Sequence, residues 1–326
     1  MLRQRDRKEV PWFKLFKQFE SLDGADTLVE KWRPTKKDKE AGLIPRIDPH
    51  YVFPLIETQV LVNVLSLQQN NPVWIRGWSG TGKSALLRQV CARLRAPLYE
   101  IEGSSALTLR SMLGTTAASE GRTFFQERTL LQWLRNGGVL GIHEYDTLEP
   151  SVVNALKPIM ECPPHYAVPE INERVIGHPD CRVVVTCNTW GNGDSSGLFG
   201  ANTHRQSDAD LRRFTAFIEL DYLPEAVETA MLGGVFDVTT EGDLAQLQQV
   251  VQYANAVRGT FKKGESSFTL SPAQLITWVR LTLRLGCGFR RAADFAFLNK
   301  LDAPTKEAAI QLLDAVYPSN TTSSVP

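Results

Sequence analysis

The stretch that most constrains this chain is Gly77-Trp78-Ser79-Gly80-Thr81-Gly82-Lys83-Ser84, a complete match to G-x-x-x-x-G-K-[ST]. Its glycines let successive backbone N–H groups turn inward around phosphate oxygens, and the positive end of a following helix adds to that attraction. Such a loop works only between a strand and a helix, and both are predicted here. Val73-Trp74-Ile75-Arg76 is a short apolar run ending at Gly77. Ser84 to Arg95 places Leu86, Leu87, Val90, Cys91 and Leu94 on one helical face. Lys83 is expected to reach the β and γ phosphates of a nucleotide, and the Ser84 hydroxyl to be a magnesium ligand.

The segments around this loop alternate between strand and helix. Leu98 to Ile101, Gly138 to Ile142, Cys181 to Cys187 and Ala216 to Leu220 read as further strands. Val152, Val153, Leu156, Ile159 and Met160 mark a helix face interrupted by Pro158. Alternation of this kind implies a parallel sheet covered on both faces, an αβα layer structure. After Pro224 only helical periodicity remains. Leu244, Leu247, Val250, Val251, Ala254 and Val257 form one face, Ser271-Pro272 opens a helix running towards Gly286, and Pro304 to Val316 closes the series. The expected organisation is an arm over 1–45, an α/β nucleotide-binding unit over 46–223, an all-helical unit over 224–317 and a disordered Ser/Thr-rich tail over 318–326. Within the arm, Trp12, Phe13, Leu15, Phe16 and Phe19 suggest a docking helix, either onto the protein's own body or onto a partner.

Composition removes several other classes. Hydrophobic residues at 43% and charged residues at 22% exclude disorder over the whole chain. Thirty-six basic and 36 acidic side chains cancel, so no global field draws the protein to nucleic acid or to an anionic membrane. The five cysteines are odd in number and none sits at C-x-x-C spacing, which argues against a disulfide framework or a zinc ribbon. No apolar run approaches the ~18 residues of a membrane helix, and no apolar stretch follows the charged N-terminus as a signal peptide requires. A cytoplasmic protein is expected.

A nucleotide hydrolase also needs an acidic strand end beside its phosphate loop. Val139-Leu140-Gly141-Ile142 leads into His143-Glu144-Tyr145-Asp146. Glu144 stands where a general base would take a proton from the water that attacks the γ-phosphate. The position that usually carries a magnesium-associated Asp holds His143, and imidazole is a poor partner for an ion that prefers oxygen. Either Asp146 or water takes over that role, or hydrolysis is weak.

With these residues in view, the chain resembles the MoxR-type AAA+ ATPases, and within them the cobaltochelatase ATPase (CobS-like) branch. The resemblance covers roughly 46–317. It rests on Ile47 to Phe53, the phosphate loop, Glu144-Tyr145-Asp146, Thr186-Cys187-Asn188-Thr189, Gly191 to Leu198, Tyr222-Leu223-Pro224 and Phe297 to Asp302. It implies an AAA+ P-loop fold with a C-terminal helical lid, ATP and Mg2+ as cofactors, and assembly as a homo-oligomeric ring, usually a hexamer, with ATP between subunits. Asn188 matches the sensor that contacts the γ-phosphate or the attacking water. Leu211-Arg212-Arg213-Phe214 matches the arginine-finger segment, with Arg213 the first candidate and Arg212 the second. Ser271-Pro272-Ala273 matches a lid motif whose arginine is replaced by Ala273. Tyr51 and Val52 are candidates for the adenine pocket, and Leu86 is counted with the loop among the nucleotide-binding residues. Val168 to Val175 and Gly103 to Gly121 fall where the family carries hairpin and helix insertions.

Three functions follow. The first is an ATP-hydrolysing ring that remodels a protein partner, in the resembled branch a von Willebrand A-type protein. The second, suggested by His143, Arg212 and Ala273, is an ATP-binding switch that hydrolyses little. The third, less favoured on charge and on the lack of a DNA-binding motif, is a nucleic-acid motor. None involves a membrane.

Overall fold

The computed structural model describes residues 6–19, 26–119, 122–193 and 203–317. The Asp194–Leu198 part of the expected family block and the tail from Pro318 lie outside these residues. The chain divides into two compact units. One comprises residues 1–49, 53–77 and 83–220, and the other residues 50–52 and 78–82 with the chain from Asp221 onward.

The first unit opens with a hairpin of β1 (Arg7–Pro11) and β2 (Leu28–Trp32). The aromatic stretch between them turns inward: Trp12, Leu15, Phe16 and Phe19 are buried. Trp12 stacks on Phe16 at 4.4 Å and Phe16 meets Phe53 edge-on at 5.0 Å. Arg7 lies 4.4 Å over Trp32 and pairs with Asp180 at 2.8 Å. The amphipathic segment thus docks onto its own unit, and only Trp12–Leu15 of it is α-helical.

The centre of the unit is a five-stranded sheet. Its strands are β3 (Val73–Gly77), β4 (Leu98–Glu102), β7 (Gly138–His143), β10 (Cys181–Cys187) and β11 (Ala216–Leu220). They are all parallel and run in the order β11-β3-β10-β7-β4. Between β4 and β7 stands the hairpin of β5 (Gly114–Ser119) and β6 (Arg122–Glu127), and before β10 that of β8 (His165–Val168) and β9 (Glu173–Ile176). Strand β10 reads Cys-Arg-Val-Val-Val-Thr-Cys and every residue of it is buried. That is the signature of a central parallel strand, covered by helices on both faces and so lacking an alternating polar side. The helix Lys83–Leu94 buries the face predicted for it. The helix that begins at Pro150 ends at Leu156, and Lys157–Met160 continues as a 3-10 turn around Pro158.

The second unit contains the helices Glu225–Phe236, Glu241–Lys262, Pro272–Leu285, Phe289–Ala296 and Ala303–Val316. Ser271 caps its helix by accepting from the Gln274 N–H, and Gly286 ends that helix with a φ of 59°. Its core is aromatic: Trp278 meets Tyr253 at 5.4 Å and Phe297 at 5.2 Å. A buried Arg258–Glu228 pair, bonded through the two terminal guanidinium nitrogens at 2.6 and 2.9 Å, ties two of the helices together.

Candidate functional site

In an open parallel sheet, ligands bind beyond the carboxyl ends of the strands. Three such ends carry the predicted residues: β3 runs into the phosphate loop, β7 into His143 and Glu144, and β10 into Asn188. In the first unit they meet through Lys83. Its Nζ donates to the Gly77 carbonyl and to Asn188 Oδ1, each at 2.8 Å. Burial pushes the Lys83 ammonium down to about 8, against the opposing pull of Cys187, Asp146 and Glu144. A lysine so desolvated gains most when an anion arrives.

Asn188 is held from behind. Asp146 is fully buried, and its Oδ2 accepts from the Asn188 N–H at 3.0 Å, the Thr189 N–H at 2.9 Å and the Thr189 hydroxyl at 2.9 Å. One carboxylate oxygen therefore fixes the backbone of the sensor segment. The other, Oδ1, is buried without a hydrogen-bond partner.

On the other side of the loop's helix, the Ser84 hydroxyl lies 3.0 Å from His143 Nδ1. His143 is 1% exposed, with Thr186 Oγ1 3.2 Å from the same nitrogen and Glu100 Oε1 2.8 Å from Nε2. Burial acts to raise the Glu100 carboxyl, but the His143 hydrogen bond and the Arg88 guanidinium, bonded at 2.7 Å, outweigh it and hold the carboxyl below its ordinary range. Both imidazole nitrogens thus have protein partners. The oxygen donors suited to magnesium are the Ser84 hydroxyl and the unpartnered Asp146 Oδ1. This donor set fits an ion held by Ser84, phosphate oxygens and water, with His143 outside the coordination.

Glu144 is exposed and has φ 50° and ψ 41°, a left-handed conformation that costs a non-glycine residue energy. Its carbonyl accepts from the Thr147 N–H and hydroxyl, and the Gly103 N–H donates to the His143 carbonyl at 2.7 Å. A Cβ at Gly103 would lie 2.5 Å from the Glu144 oxygen and 2.6 Å from that of His143. Only glycine lets the end of β4 approach the turn this closely.

Arg213 is half-buried and pairs with Glu161, while Arg212 is exposed at the end of the Asp208–Leu211 helix. Leu86 is fully buried. In the second unit, Trp78 meets Phe261 at 5.9 Å, and the Thr81 hydroxyl donates to the Trp78 carbonyl at 2.9 Å. Gly80 has φ +77° and rests against Ser271, where a Cβ would come within 2.7 Å of the serine Cβ. The Ser79 carbonyl accepts from the Tyr222 hydroxyl at 2.6 Å, and Arg258 lies 4.2 Å over the Tyr222 ring. Gly82 has φ +90°, and a Cβ there would meet nothing within 4 Å. Tyr51 and Val52 are half-buried in the same unit, and Ala273 follows the Ser271 cap. Glu100, Gly103 and Thr186 were not singled out as site residues by the sequence. Glu100 sits in an ordinary strand alternation, Leu98-Tyr99-Glu100-Ile101-Glu102, and only the register of β4 beside β7 connects it to His143.

Among the described residues, no cluster of three or more His, Cys, Asp or Glu side chains could hold a metal ion, and no helix is long and apolar enough to cross a membrane.

Comparison with known proteins places these features among relatives. Residues 72–201 match the profile of the AAA domain, dynein-related subfamily. The chain is 28% identical over 269 residues to the aerobic cobaltochelatase subunit CobS of Sinorhizobium sp, covering 81% of this chain and 80% of that protein. It is 25% identical over 251 residues to the denitrification regulatory protein NirQ of Stutzerimonas stutzeri, covering 77% and 85%. It is 22% identical over 248 residues to NorQ of Paracoccus denitrificans, covering 76% and 86%.

Proposed function

We propose that this chain, an AAA+ ATPase of the MoxR/CobS type, binds Mg-ATP on the Gly77–Ser84 loop, hydrolyses it within a cytoplasmic homo-oligomeric ring, and uses the turnover to remodel a protein partner. The observation that carries the reading is Lys83, desolvated and bonded at 2.8 Å to the Asn188 side chain. It joins the residue that would bind the β and γ phosphates to the one that would sense them. Glu144 is the general base for the attacking water. Magnesium, when bound with the nucleotide, neutralises charge on the β and γ phosphates. Ser84 is its protein ligand, and Asp146 serves chiefly as the tether of the sensor backbone.

Arg213 is the arginine finger in this reading and acts on the nucleotide of a neighbouring copy, so activity depends on assembly. Its pairing with Glu161 within its own chain is the contact that the neighbour's phosphate replaces. The relative CobS is by its name a subunit of a larger enzyme, which supports work on a protein partner here; a von Willebrand A-type protein is the kind this reading expects.

Mixing tests the ring directly. Lys83→Ala and Arg213→Ala subunits are each expected to be inactive alone and to regain measurable turnover when combined, because one supplies the finger and the other the phosphate loop. Failure of every mixture to exceed its components would sink the trans arrangement.

A second reading is favoured by the imidazole at 143 and the alanine at 273. A ring lacking a carboxylate and an arginine at these positions would hydrolyse slowly and act as an ATP-gated scaffold. Slow, partner-independent turnover with tight ATP binding would select it.

A further inference from the structure

His143 stands where an acidic side chain would be expected, and its surroundings show how the position can still serve a cation. Glu100 is a carboxylate, held ionised by Arg88 and His143, and an ionised carboxylate only accepts hydrogen bonds. The imidazole nitrogen 2.8 Å from it, Nε2, must therefore carry a hydrogen. In the neutral ring that leaves Nδ1 bare. The groups near Nδ1 are the hydroxyls of Ser84 at 3.0 Å and Thr186 at 3.2 Å, both able to donate. Ser84 is the nearer.

We propose that Glu100 is a positioning residue for the cation site: by accepting the Nε2–H of His143 it fixes the imidazole tautomer, so that Nδ1 takes the Ser84 hydroxyl hydrogen and both oxygen lone pairs of Ser84 stay available to a cation. The proposal rests on the reading of the loop as a Mg-ATP site. The carboxylate that such a site needs is not missing. It has moved one strand outward, from β7 to β4, and acts through the ring. A carboxylate–imidazole pair of this kind sets orientation and basicity through the second partner. The parallel register makes it possible, since Ile101 lies opposite Ile142 and Glu102 opposite His143, which brings the Glu100 side chain alongside the end of β7.

The test uses the full chain and two readouts. Nitrogen-15 spectra of histidine-labelled protein, with the His143 signals assigned through His143→Gln, report the tautomer without nucleotide. Paramagnetic resonance of Mn2+ reports cation affinity in the complex with a non-hydrolysable ATP analogue. The wild type should show a pyrrole-type Nε2 and a pyridine-type Nδ1. Glu100→Leu should lose that preference and weaken Mn2+ binding roughly 10-fold, the low end for loss of an outer partner of a metal site. Its affinity for the analogue in chelator should not change. Glu100→Gln, which retains a side-chain carbonyl to accept from Nε2, should keep the tautomer and most of the Mn2+ affinity.

A wild-type ring with hydrogen on Nδ1 overturns the proposal. So does a Glu100→Leu protein with wild-type Mn2+ affinity, whatever its tautomer. If the wild type fails to bind the analogue at all, the nucleotide reading falls and the cation role with it, while the tautomer measured without nucleotide still shows whether the relay exists.

Discussion

Two sides of the phosphate loop's helix contrast sharply. On the lysine side, Lys83 touches Asn188 directly, and both residues belong to motifs readable along the chain. On the histidine side, Ser84 reaches the Glu100 charge through His143, and Glu100 comes from the edge strand of the sheet. The first side is built from two residues that each sit in a motif of their own, behind which Asp146 locks the backbone. The second is built from three strands in register. A departure at a motif position is therefore no measure of lost chemistry until the neighbouring strands have been searched for what replaces it.

The largest effect expected is on the lysine side. Lys83→Ala should cost about 2–5 kcal/mol of ATP binding, the range for removing one partner of a desolvated charge contact, read by calorimetric titration. If the loss is no greater than that of Glu100→Leu, the two sides are equivalent and the contrast fails.

Asp146→Ala comes next. It strands the half-buried Asn188 N–H and the buried N–H and hydroxyl of Thr189. At roughly 1–3 kcal/mol for a buried group left unsatisfied, urea denaturation should show a loss of at least that size. A mere loss of activity at unchanged stability would instead make Asp146 a ligand.

Gly103→Ala should lower turnover while sparing ATP affinity, because the added methyl would push the His143–Glu144 turn and leave Lys83 alone. Overpacking of this kind costs about 1–3 kcal/mol.

A pH effect is smaller. The Lys83 ammonium in the folded protein ionises near 8, below its unfolded value. From there up to the ordinary lysine range the unfolded chain binds more protons, so this residue makes stability rise with pH across that window and subtracts from it below. Nucleotide binding favours the charged form, so it should take up a proton above pH 8, visible as a dependence of binding heat on buffer, and Lys83→Met should abolish it. The smallest effect belongs to the partly exposed Arg88–Glu100 contact, where Arg88→Gln should cost under about 1 kcal/mol.

Much of the fold was legible because its signals are local. The all-buried Cys181–Cys187 run reads as a central strand, and Ser271-Pro272 reads as a helix start. The orientation of the N-terminal aromatic stretch was not. Trp12 and Phe16 face inward because Phe53, distant in sequence, offers an edge-on partner, and an amphipathic pattern alone does not say what covers its apolar face. The same limit applies at the site. Lys83 and Ser84 follow from the loop motif, Glu144 from the acidic end of its strand and Asn188 from the family resemblance, but Glu100 and Gly103 act through strand register and close backbone approach, which leave no motif. The tethering role of Asp146 is likewise written in three hydrogen bonds and in nothing along the chain.

Mg-dependent ATP turnover across protein concentration, in the wild type and in Glu144→Gln, decides whether this chain works as a ring ATPase. A rate per subunit that rises steeply with concentration, and that falls roughly 100-fold or more in Glu144→Gln with ATP still bound, is what a ring ATPase with a carboxylate base predicts. A wild type that binds ATP and shows no turnover at any concentration would contradict it.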